Sequence, residues 1–415
     1  MKPLRNLLIV FFSVLLLSGF AGAKDVKSES KVFRIGIIGT TTSHVPAALG
    51  LFNAENPKYK NPESAKYFKG FRITAAYKGG MPDNESAWSR RDVYAKNCEE
   101  AGVKIYSTIE EMLPHVDGIL LESVDGRPHL EQAIPVINAK IPLFIDKPMA
   151  GSLADAVKIF RLAKENGVPV FSGSSLRYSL FCQKMRNEKP LGTIYGCEAF
   201  SPASLNPKHP DLYWYGIHGV ETLFTIMGPE CISVSRTKTD SEDLAVGIWK
   251  EGRIGTFRGL RDGRKGYGAR VFCEKGITEG GDYEGYEPMF VEICKFFRTG
   301  KTPFSNEETI RILAFMSAAD ESWQQGGKHI LLDDVLEKAN FEIRKNIDLV
   351  MQKDGDLQWN GESADLAKVS KMIDDLNRKG VVVRIILNNR AGASFELVQK
   401  VLEAVDHAYL ANYLY

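Results

Sequence analysis

Short β-branched strands alternate with helical stretches between residues 32 and 148, and this alternation constrains the fold more than any other feature of the chain. The predicted strands are 32–38, 71–77, 104–106, 117–122 and 143–145, and the predicted helices between them are 44–53, 89–101, 109–113 and 129–139. Strands that alternate with helices predict βαβ units around a parallel sheet. Such a sheet binds its ligands beyond the carboxyl ends of its strands, where Gly39, Tyr77, Glu122 and Asp146 stand.

The pattern changes after residue 148, which predicts a first domain over 32–148 and a second over 149–335. A helix over 153–166 and a strand over 168–172 come first, and the texture is strand-rich from about residue 192. The later strands are predicted at 194–200, 231–236, 243–249, 253–259 and 269–273, and helices at 287–298 and 307–323. This order predicts an α/β domain with an open, mostly antiparallel sheet.

The last segment, 343–415, has the predicted order β-β-α-β-α-β, which is typical of a small α+β domain. A hairpin is predicted around Lys353-Asp354-Gly355, followed by a helix over 363–378, a strand over 381–387 and a helix over 394–407. The chain therefore belongs to the α/β class with three predicted domains, and at about 150 residues per domain its 415 residues allow two or three.

Residues 1–23 have the pattern of a Sec-type signal peptide. Lys2 and Arg5 precede the apolar run Leu7–Leu17, and Ala21-Gly22-Ala23 is a small-x-small cleavage site. The run is shorter than the roughly 20 residues of a spanning helix. We therefore expect export to the periplasm or the extracellular space and no membrane span once the signal is removed; an uncleaved anchor is the alternative.

Charge and cysteine content exclude several classes of partner. The chain has 53 basic and 52 acidic residues, a formal net charge of +1, which argues against nucleic acid or an anionic membrane as the main partner. Its 44% hydrophobic content rules out a largely disordered chain. The six cysteines are scattered with no metal-like spacing, so the sequence predicts no metal site, and their pairing cannot be read from it.

The loop from Gly39 to His44 stands where a dinucleotide fingerprint would read G-x-G-x-x-G. Only Gly39 is present, since Thr41 and His44 take the places of the other two glycines. The start of the following helix still attracts an anion, and the hydroxyls of Thr40, Thr41 and Ser43 could donate to a phosphate. The loop therefore permits phosphate binding, and a turn without a cofactor is the alternative.

The second predicted strand ends in Tyr77-Lys78, without the carboxylate that grips the ribose hydroxyls of NAD. Lys78 would suit the 2′-phosphate of NADP. An ordinary surface lysine is the alternative, and the sequence does not separate NAD from NADP.

Two further positions carry residues suited to the oxidation of a hydroxyl group. Lys147 follows a buried strand, where its ammonium could hydrogen-bond a substrate oxygen and favour a developing negative charge. His218 could act as a general base, oriented by Glu221 three residues further on, with Trp214 and Tyr215 stacking on a sugar face. The alternatives are a structural pair of Asp146 and Lys147 and a structural histidine.

These segments resemble the Gfo/Idh/MocA family (glucose-fructose oxidoreductase / inositol dehydrogenase / MocA) over about 33–332. The matching stretches are RIGIIGT at 34–40, VDGILLESVDGRPHLEQA at 116–133, LFIDKPMAGSLADAVKIFRLAKENGVPVFSGSSLRY at 143–178 and YGIHGVETL at 215–223. The resemblance implies a Rossmann-like domain, an α/β substrate domain and NAD or NADP as cofactor. The family's E-K-P motif places the catalytic lysine at Lys147, and its D-x-G-x-H motif places the base at His218.

The resemblance also implies a substrate contact for Arg177. Together with the residue analysis above, the predicted cofactor contacts are Gly39, Thr40, Thr41, Ser43, Lys78, Glu122 and Lys147, and the predicted substrate contacts are Arg177, Trp214 and Tyr215. The chain departs from the family in its single loop glycine, in the missing ribose acid, and in Trp214, which stands where the family motif has aspartate. Residues 343–415 are similar in pattern to the soluble domain of the ExbD/TolR family, which suggests docking or dimerisation.

The function implied is an exported NAD(P)-dependent oxidoreductase that acts on a hydroxyl of a carbohydrate or cyclitol. Two alternatives stay open: a redox-neutral, NAD-dependent glycoside-processing enzyme, and a cofactor-free carbohydrate-binding or assembly protein. Lys147 and His218 favour the enzymes, whereas Thr41, the missing ribose acid and Trp214 favour the binding protein. Homo-oligomerisation is not readable from the sequence.

Overall fold

The computed structural model describes residues 32–340, 343–352, 356–359, 361–378, 381–388, 394–404 and 409–414. The predicted signal segment 1–23 and the turn Lys353-Asp354-Gly355 lie outside these residues.

Six parallel strands form the first sheet, in the order β3-β2-β1-β4-β5-β6, which confirms the predicted parallel architecture. Its elements are β1 (Phe33–Ile38), α1 (His44–Phe52), α2 (Ala65–Phe68), β2 (Phe71–Tyr77), α3 (Glu85–Glu100), β3 (Lys104–Tyr106), α4 (Ile109–Met112), β4 (Gly118–Leu121), α5 (His129–Asn138), β5 (Leu143–Asp146), α6 (Leu153–Asn166) and β6 (Val170–Gly173). Strands β4, β5 and β6 are fully buried, as expected of a sheet covered by helices on both faces. The sixth strand comes from the segment after residue 148, so the first sheet extends past the predicted boundary.

Seven strands form the second sheet, in the order β12-β11-β7-β10-β9-β8-β13. Its elements are α7 (Leu180–Asn187), β7 (Ile194–Pro202), α8 (Asp211–Trp214), α9 (Ile217–Met227), β8 (Cys231–Lys238), β9 (Glu242–Trp249), β10 (Ile254–Leu260), β11 (Gly268–Cys273), β12 (Gly276–Gly280), α10 (Glu287–Thr299), α11 (Asn306–Gln324), β13 (Ile330–Leu331) and α12 (Leu332–Lys338). β7 and β10 run parallel and the neighbouring pairs are antiparallel, so the predicted mostly antiparallel sheet is confirmed. Helix α9 is buried along its whole length.

A third sheet, in the order β16-β15-β14-β17-β18, forms the small α+β unit at the end of the chain. Its elements are β14 (Ile343–Met351), β15 (Leu357–Trp359), β16 (Glu362–Ala364), α13 (Leu366–Arg378), β17 (Val381–Asn388), α14 (Phe395–Ala404) and β18 (Tyr409–Leu414). Leu349, Trp359, Val369 and Val401 are among the residues of its core. The short strand β16 is absent from the sequence prediction, since three residues carry too little periodicity to be read.

The edge of the first sheet is shaped by the close approach of the loops after β1 and β4. Gly39 has a φ of +94°, and a Cβ at this position would overlap the backbone nitrogen of Ser123. The amide of Glu122 donates to the carbonyl of Ile38 at 2.6 Å. The segments that follow β1 and β4 therefore bring His44 and Glu122 close together at the carboxyl edge of the sheet.

Within the described part of the chain, no helix has both the length and the apolar character needed to cross a bilayer.

Two glycine substitutions should change stability in opposite directions. Gly39→Ala should lower the melting temperature, because left-handed backbone costs an L-residue about 1–2 kcal/mol and the new methyl group meets Ser123. Gly50→Ala should raise it, because Gly50 lies exposed in α1 with no atom within 4 Å of a new Cβ, and alanine in a helix gains about 0.5–1 kcal/mol. Thermal unfolding followed by circular dichroism compares the two; a stabilised Gly39→Ala variant would contradict the geometry described for this edge.

Candidate active site

His44, Glu122 and Asp146 meet at the carboxyl edge of the parallel sheet. His44 Nδ1 lies 3.1 Å from Glu122 Oε2 and 3.3 Å from Asp146 Oδ1, and the three side chains are at most 5% exposed. Burial by itself lowers the pKa of His44, but the charges of Asp146 and Glu122 outweigh it and raise the pKa. Burial also raises the pKa of Glu122. The neighbouring carboxylates therefore favour a protonated His44 in a position that is shielded from water.

Lys147 follows Asp146 directly and is 7% exposed. Its Nζ lies 5.8 Å from the centroid of the Tyr215 ring, whose own centroid is 5.0 Å from that of His218. The prediction that Lys147, His218 and Tyr215 share one site therefore agrees with their placement in the fold.

His218 lies in the first turn of α9, with its Nδ1 2.7 Å from Ser174 Oγ. Ser174 Oγ also accepts from the amide of Leu176 at 3.2 Å, which fixes the hydroxyl beside the imidazole. In the tautomer that carries its proton on Nδ1, the imidazole donates to Ser174 and Nε2 is the basic nitrogen. Burial, with the positive charges of Lys147 and His44, holds the pKa of His218 well below its usual range. The expectation that Glu221 orients this imidazole is wrong, because Ser174 occupies that position.

Glu221 instead pairs with Arg177, whose guanidinium also binds Glu308 at 2.7 Å. Arg177 is 1% exposed and lies 3.7 Å from the centroid of the Phe304 ring. A guanidinium held by two carboxylates inside the protein serves to fix α9 and α11 together. The predicted substrate contact of Arg177 is therefore corrected to a structural ion pair.

Four tyrosines surround the histidines and are named here the tyrosine wall: Tyr215, Tyr267, Tyr283 and Tyr286. The Tyr286 ring lies 4.3 Å from that of His44, and the Tyr267 ring lies 6.1 Å from that of His218. The hydroxyls of Tyr215 and Tyr267 are 3.2 Å apart. Sequence reasoning found only Tyr215, because the other three follow β10 and precede α10 without any motif that marks them.

The loop after β1 uses its hydroxyl groups within the protein. Thr40 Oγ1 donates to the carbonyl of Arg91 at 2.8 Å, Thr41 Oγ1 accepts from the amide of Val124 at 3.0 Å, and Ser43 Oγ lies 2.9 Å from the Tyr286 hydroxyl. The predicted use of the Thr40 and Ser43 side chains toward phosphate is thus corrected, since each already has a protein partner. The main-chain amides of Thr41, Thr42 and Ser43, in contrast, have no hydrogen-bond acceptor among the described residues.

Lys78 forms an ion pair with Asp92 at 2.9 Å, and Arg91 lies 3.2 Å from the same carboxylate oxygen. The lysine that would bind a 2′-phosphate therefore already has a carboxylate partner, which it shares with Arg91. Asp92 belongs to α3 and places a carboxylate near the end of β2, where the strand itself has none. The sequence pattern did not predict this carboxylate, because Asp92 lies in the helix that follows the strand.

Trp214 packs on His209, with 4.9 Å between the ring centroids, rather than joining the tyrosine wall. His209 Nε2 in turn lies 2.9 Å from Asp125 Oδ1, a carboxylate that also binds Asn84 and Arg127. The predicted sugar contact of Trp214 is corrected to a packing contact with His209, which itself binds Asp125.

Comparison with known proteins places these features in a family. Residues 33–174 match the model of the Gfo/Idh/MocA family, described as an oxidoreductase family with an NAD-binding Rossmann fold. A myo-inositol 2-dehydrogenase of Thermotoga maritima is 28% identical over 214 residues, a match that spans 45% of this chain and 64% of that enzyme.

Two solved structures share the fold. The myo-inositol 2-dehydrogenase of Lactobacillus plantarum is 16% identical, with a TM-score of 0.57 over 72% of this chain and 99% of that one. The scyllo-inositol dehydrogenase of Lactobacillus casei, solved with NAD(H) and scyllo-inositol, is 14% identical, with a TM-score of 0.57 over 73% of this chain and 100% of that one. The parallel sheet, the matched segment and these relatives agree that residues 33–174 form an NAD-binding Rossmann domain of the Gfo/Idh/MocA type.

Proposed function

We propose that this chain is an exported NAD(P)-dependent oxidoreductase that oxidises a hydroxyl group of a sugar or cyclitol. The observation that carries the proposal is the convergence of Lys147, His218 and the tyrosine wall at the carboxyl edge of a sheet of the NAD-binding type. A lysine, a neutral histidine and aromatic rings are the groups that such an oxidation needs.

The loop residues fit a dinucleotide in spite of the two missing glycines. The amides of Thr41, Thr42 and Ser43 have no acceptor among the described residues, and they stand at the positive end of α1. Amides in that position suit a pyrophosphate. A dinucleotide bound there would supply the acceptor for a hydride.

Lys147 would hold the substrate oxygen. Its ammonium can donate to a hydroxyl and stabilises the negative charge that develops on the oxygen as the proton leaves. The site excludes most water, so this interaction is stronger than the same contact at the surface.

His218 would receive the hydroxyl proton at Nε2. Its lowered pKa keeps the imidazole neutral and able to accept a proton at ordinary pH. Ser174 fixes the ring through Nδ1 and is a positioning residue, since it acts through His218.

The tyrosine wall supports a carbohydrate or cyclitol as substrate. Aromatic faces bury the C–H side of a sugar ring, and the phenol hydroxyls offer donors and acceptors to its hydroxyl groups. The relatives named above include two inositol dehydrogenases with matching folds. The predicted signal peptide supports the exported location.

Dinucleotide binding is the first prediction. The purified chain should bind NADH in the micromolar range, and Asp92→Asn should shift its preference toward NADPH several-fold by freeing Lys78. Native mass spectrometry and cofactor fluorescence measure both. If the folded chain binds neither cofactor, the oxidoreductase proposal fails and the cofactor-free carbohydrate-binding alternative takes its place.

Removal of the Lys147 charge is the second prediction. Lys147→Met should reduce kcat/KM by about 10²–10³-fold, because the developing oxyanion loses its donor. Turnover on a panel containing myo-inositol, scyllo-inositol and common sugars is followed by NADH absorbance. Lys158→Met, an exposed position on α6, serves as the matched control and should retain full activity; equal activity in the two variants would refute the role of Lys147.

The third prediction concerns pH. Because the pKa of His218 is held well below the usual value of a histidine, about 6.5, kcat/KM should stay constant as the pH falls from neutral through 6.5 and decrease only at more acidic pH, where the base becomes protonated. Ser174→Ala should lower kcat/KM by freeing the imidazole, and it should lower the melting temperature modestly, since it also removes the hydrogen bond that Ser174 accepts from the amide of Leu176. An acid limb centred at or above about pH 6.5 in the unmodified enzyme is the result that would exclude His218, with its lowered pKa, as the base.

A further inference from the structure

The cluster of His44, Glu122 and Asp146 has the composition of a metal centre. His44 Nδ1 and one oxygen of each carboxylate all lie within 4.8 Å of one another. The residues come from the start of α1, the end of β4 and the end of β5, three elements that the parallel sheet brings to one edge. Distance along the chain hides this arrangement from sequence spacing, which is why the sequence predicts no metal site.

Three of the four carboxylate oxygens in this cluster have no hydrogen-bond donor among the described residues. Glu122 Oε1 and both oxygens of Asp146 are buried and accept no hydrogen bond from the described residues. His44 approaches both carboxylates through the single atom Nδ1, which can carry one proton. A buried carboxylate oxygen without a donor is costly, and a cation coordinated by both carboxylates removes that cost.

We propose that His44, Glu122 and Asp146 bind a divalent transition-metal ion, Zn²⁺ or Mn²⁺. An imidazole nitrogen combined with two carboxylates suits these ions, whereas Mg²⁺ and Ca²⁺ prefer oxygen ligands throughout. Three protein ligands leave at least one coordination position for water or another molecule, as in catalytic rather than structural zinc sites.

The loop sequence agrees with this assignment. His44 stands where the dinucleotide fingerprint has its third glycine, a position normally kept small so that the helix packs close to the strand. Here the imidazole turns toward the two carboxylates and is covered by the ring of Tyr286. The metal site requires neither the dinucleotide nor the substrate of the proposed function, so the two can be tested separately.

Metal binding is measured on the full chain after treatment with a chelator, with no dinucleotide present. Zn²⁺ or Mn²⁺ alone is added, and isothermal titration calorimetry with native mass spectrometry gives the affinity and the number of ions. We expect one ion per chain and an increased melting temperature, since an ion that binds only the folded state stabilises it.

Glu122→Gln keeps the shape of the side chain and should weaken binding by at least about 100-fold, and His44→Gly should do the same by removing the nitrogen ligand. His115→Gln removes an exposed imidazole outside the cluster and should leave the affinity unchanged. Circular dichroism confirms that each variant is folded, and Asp146→Asn replaces any variant that is not.

Two results overturn the proposal. One is a folded chain that takes up no ion, in which case the cluster is a protonated imidazole shared by two carboxylates. The other is an affinity that is unchanged in both Glu122→Gln and His44→Gly, which would place the ion elsewhere. If the unmodified chain binds the metal ion but not NADH, the result contradicts the proposed function and leaves the metal site standing.

Discussion

Two buried carboxylates at the edge of the parallel sheet determine which charged groups can stand around them. Glu122 and Asp146 are at most 1% exposed, and charges in that position are strongly unfavourable unless cations or donors compensate them. His44 supplies the direct contact, and Lys147 stands next to Asp146 with its ammonium toward Tyr215. Burial, with a further contribution from the same positive groups, lowers the pKa of His218. The charges at this edge therefore also influence the basicity of the histidine.

Buried ion pairs away from this edge hold the surrounding elements in place. Arg177 joins α9 to α11 through Glu221 and Glu308, so the helix that carries His218 is tied to the helix that covers the second sheet. Asp125 gathers Asn84 and His209 around the loop that follows β4. Removal of one partner from such a pair typically costs about 3–5 kcal/mol, because the other charge stays buried and uncompensated. Both networks are thus scaffolding for the site.

The departures from the dinucleotide fingerprint have structural partners. Thr41 replaces a glycine and binds the amide of Val124, which ties the loop after β1 to the loop after β4. His44 replaces another glycine and contacts the carboxylates. Trp214 stands where the family has aspartate and packs on His209. The side chains of the loop after β1 therefore contact other parts of the protein, while the amides of Thr41, Thr42 and Ser43 have no acceptor among the described residues and stay available to a pyrophosphate.

The sequence by itself determined the alternation of strands and helices, the parallel and mostly antiparallel sheets, and the Gfo/Idh/MocA type of the first domain, because hydrophobic period and short motifs are local properties. It also placed Lys147, His218 and Tyr215 in one site. Only the tertiary structure decided the partners: Ser174 rather than Glu221 for His218, Glu221 and Glu308 for Arg177, Asp92 for Lys78, and the meeting of His44 with Glu122 and Asp146. These pairs join residues far apart in the chain, and they depend on strand register and loop geometry, which no local pattern encodes.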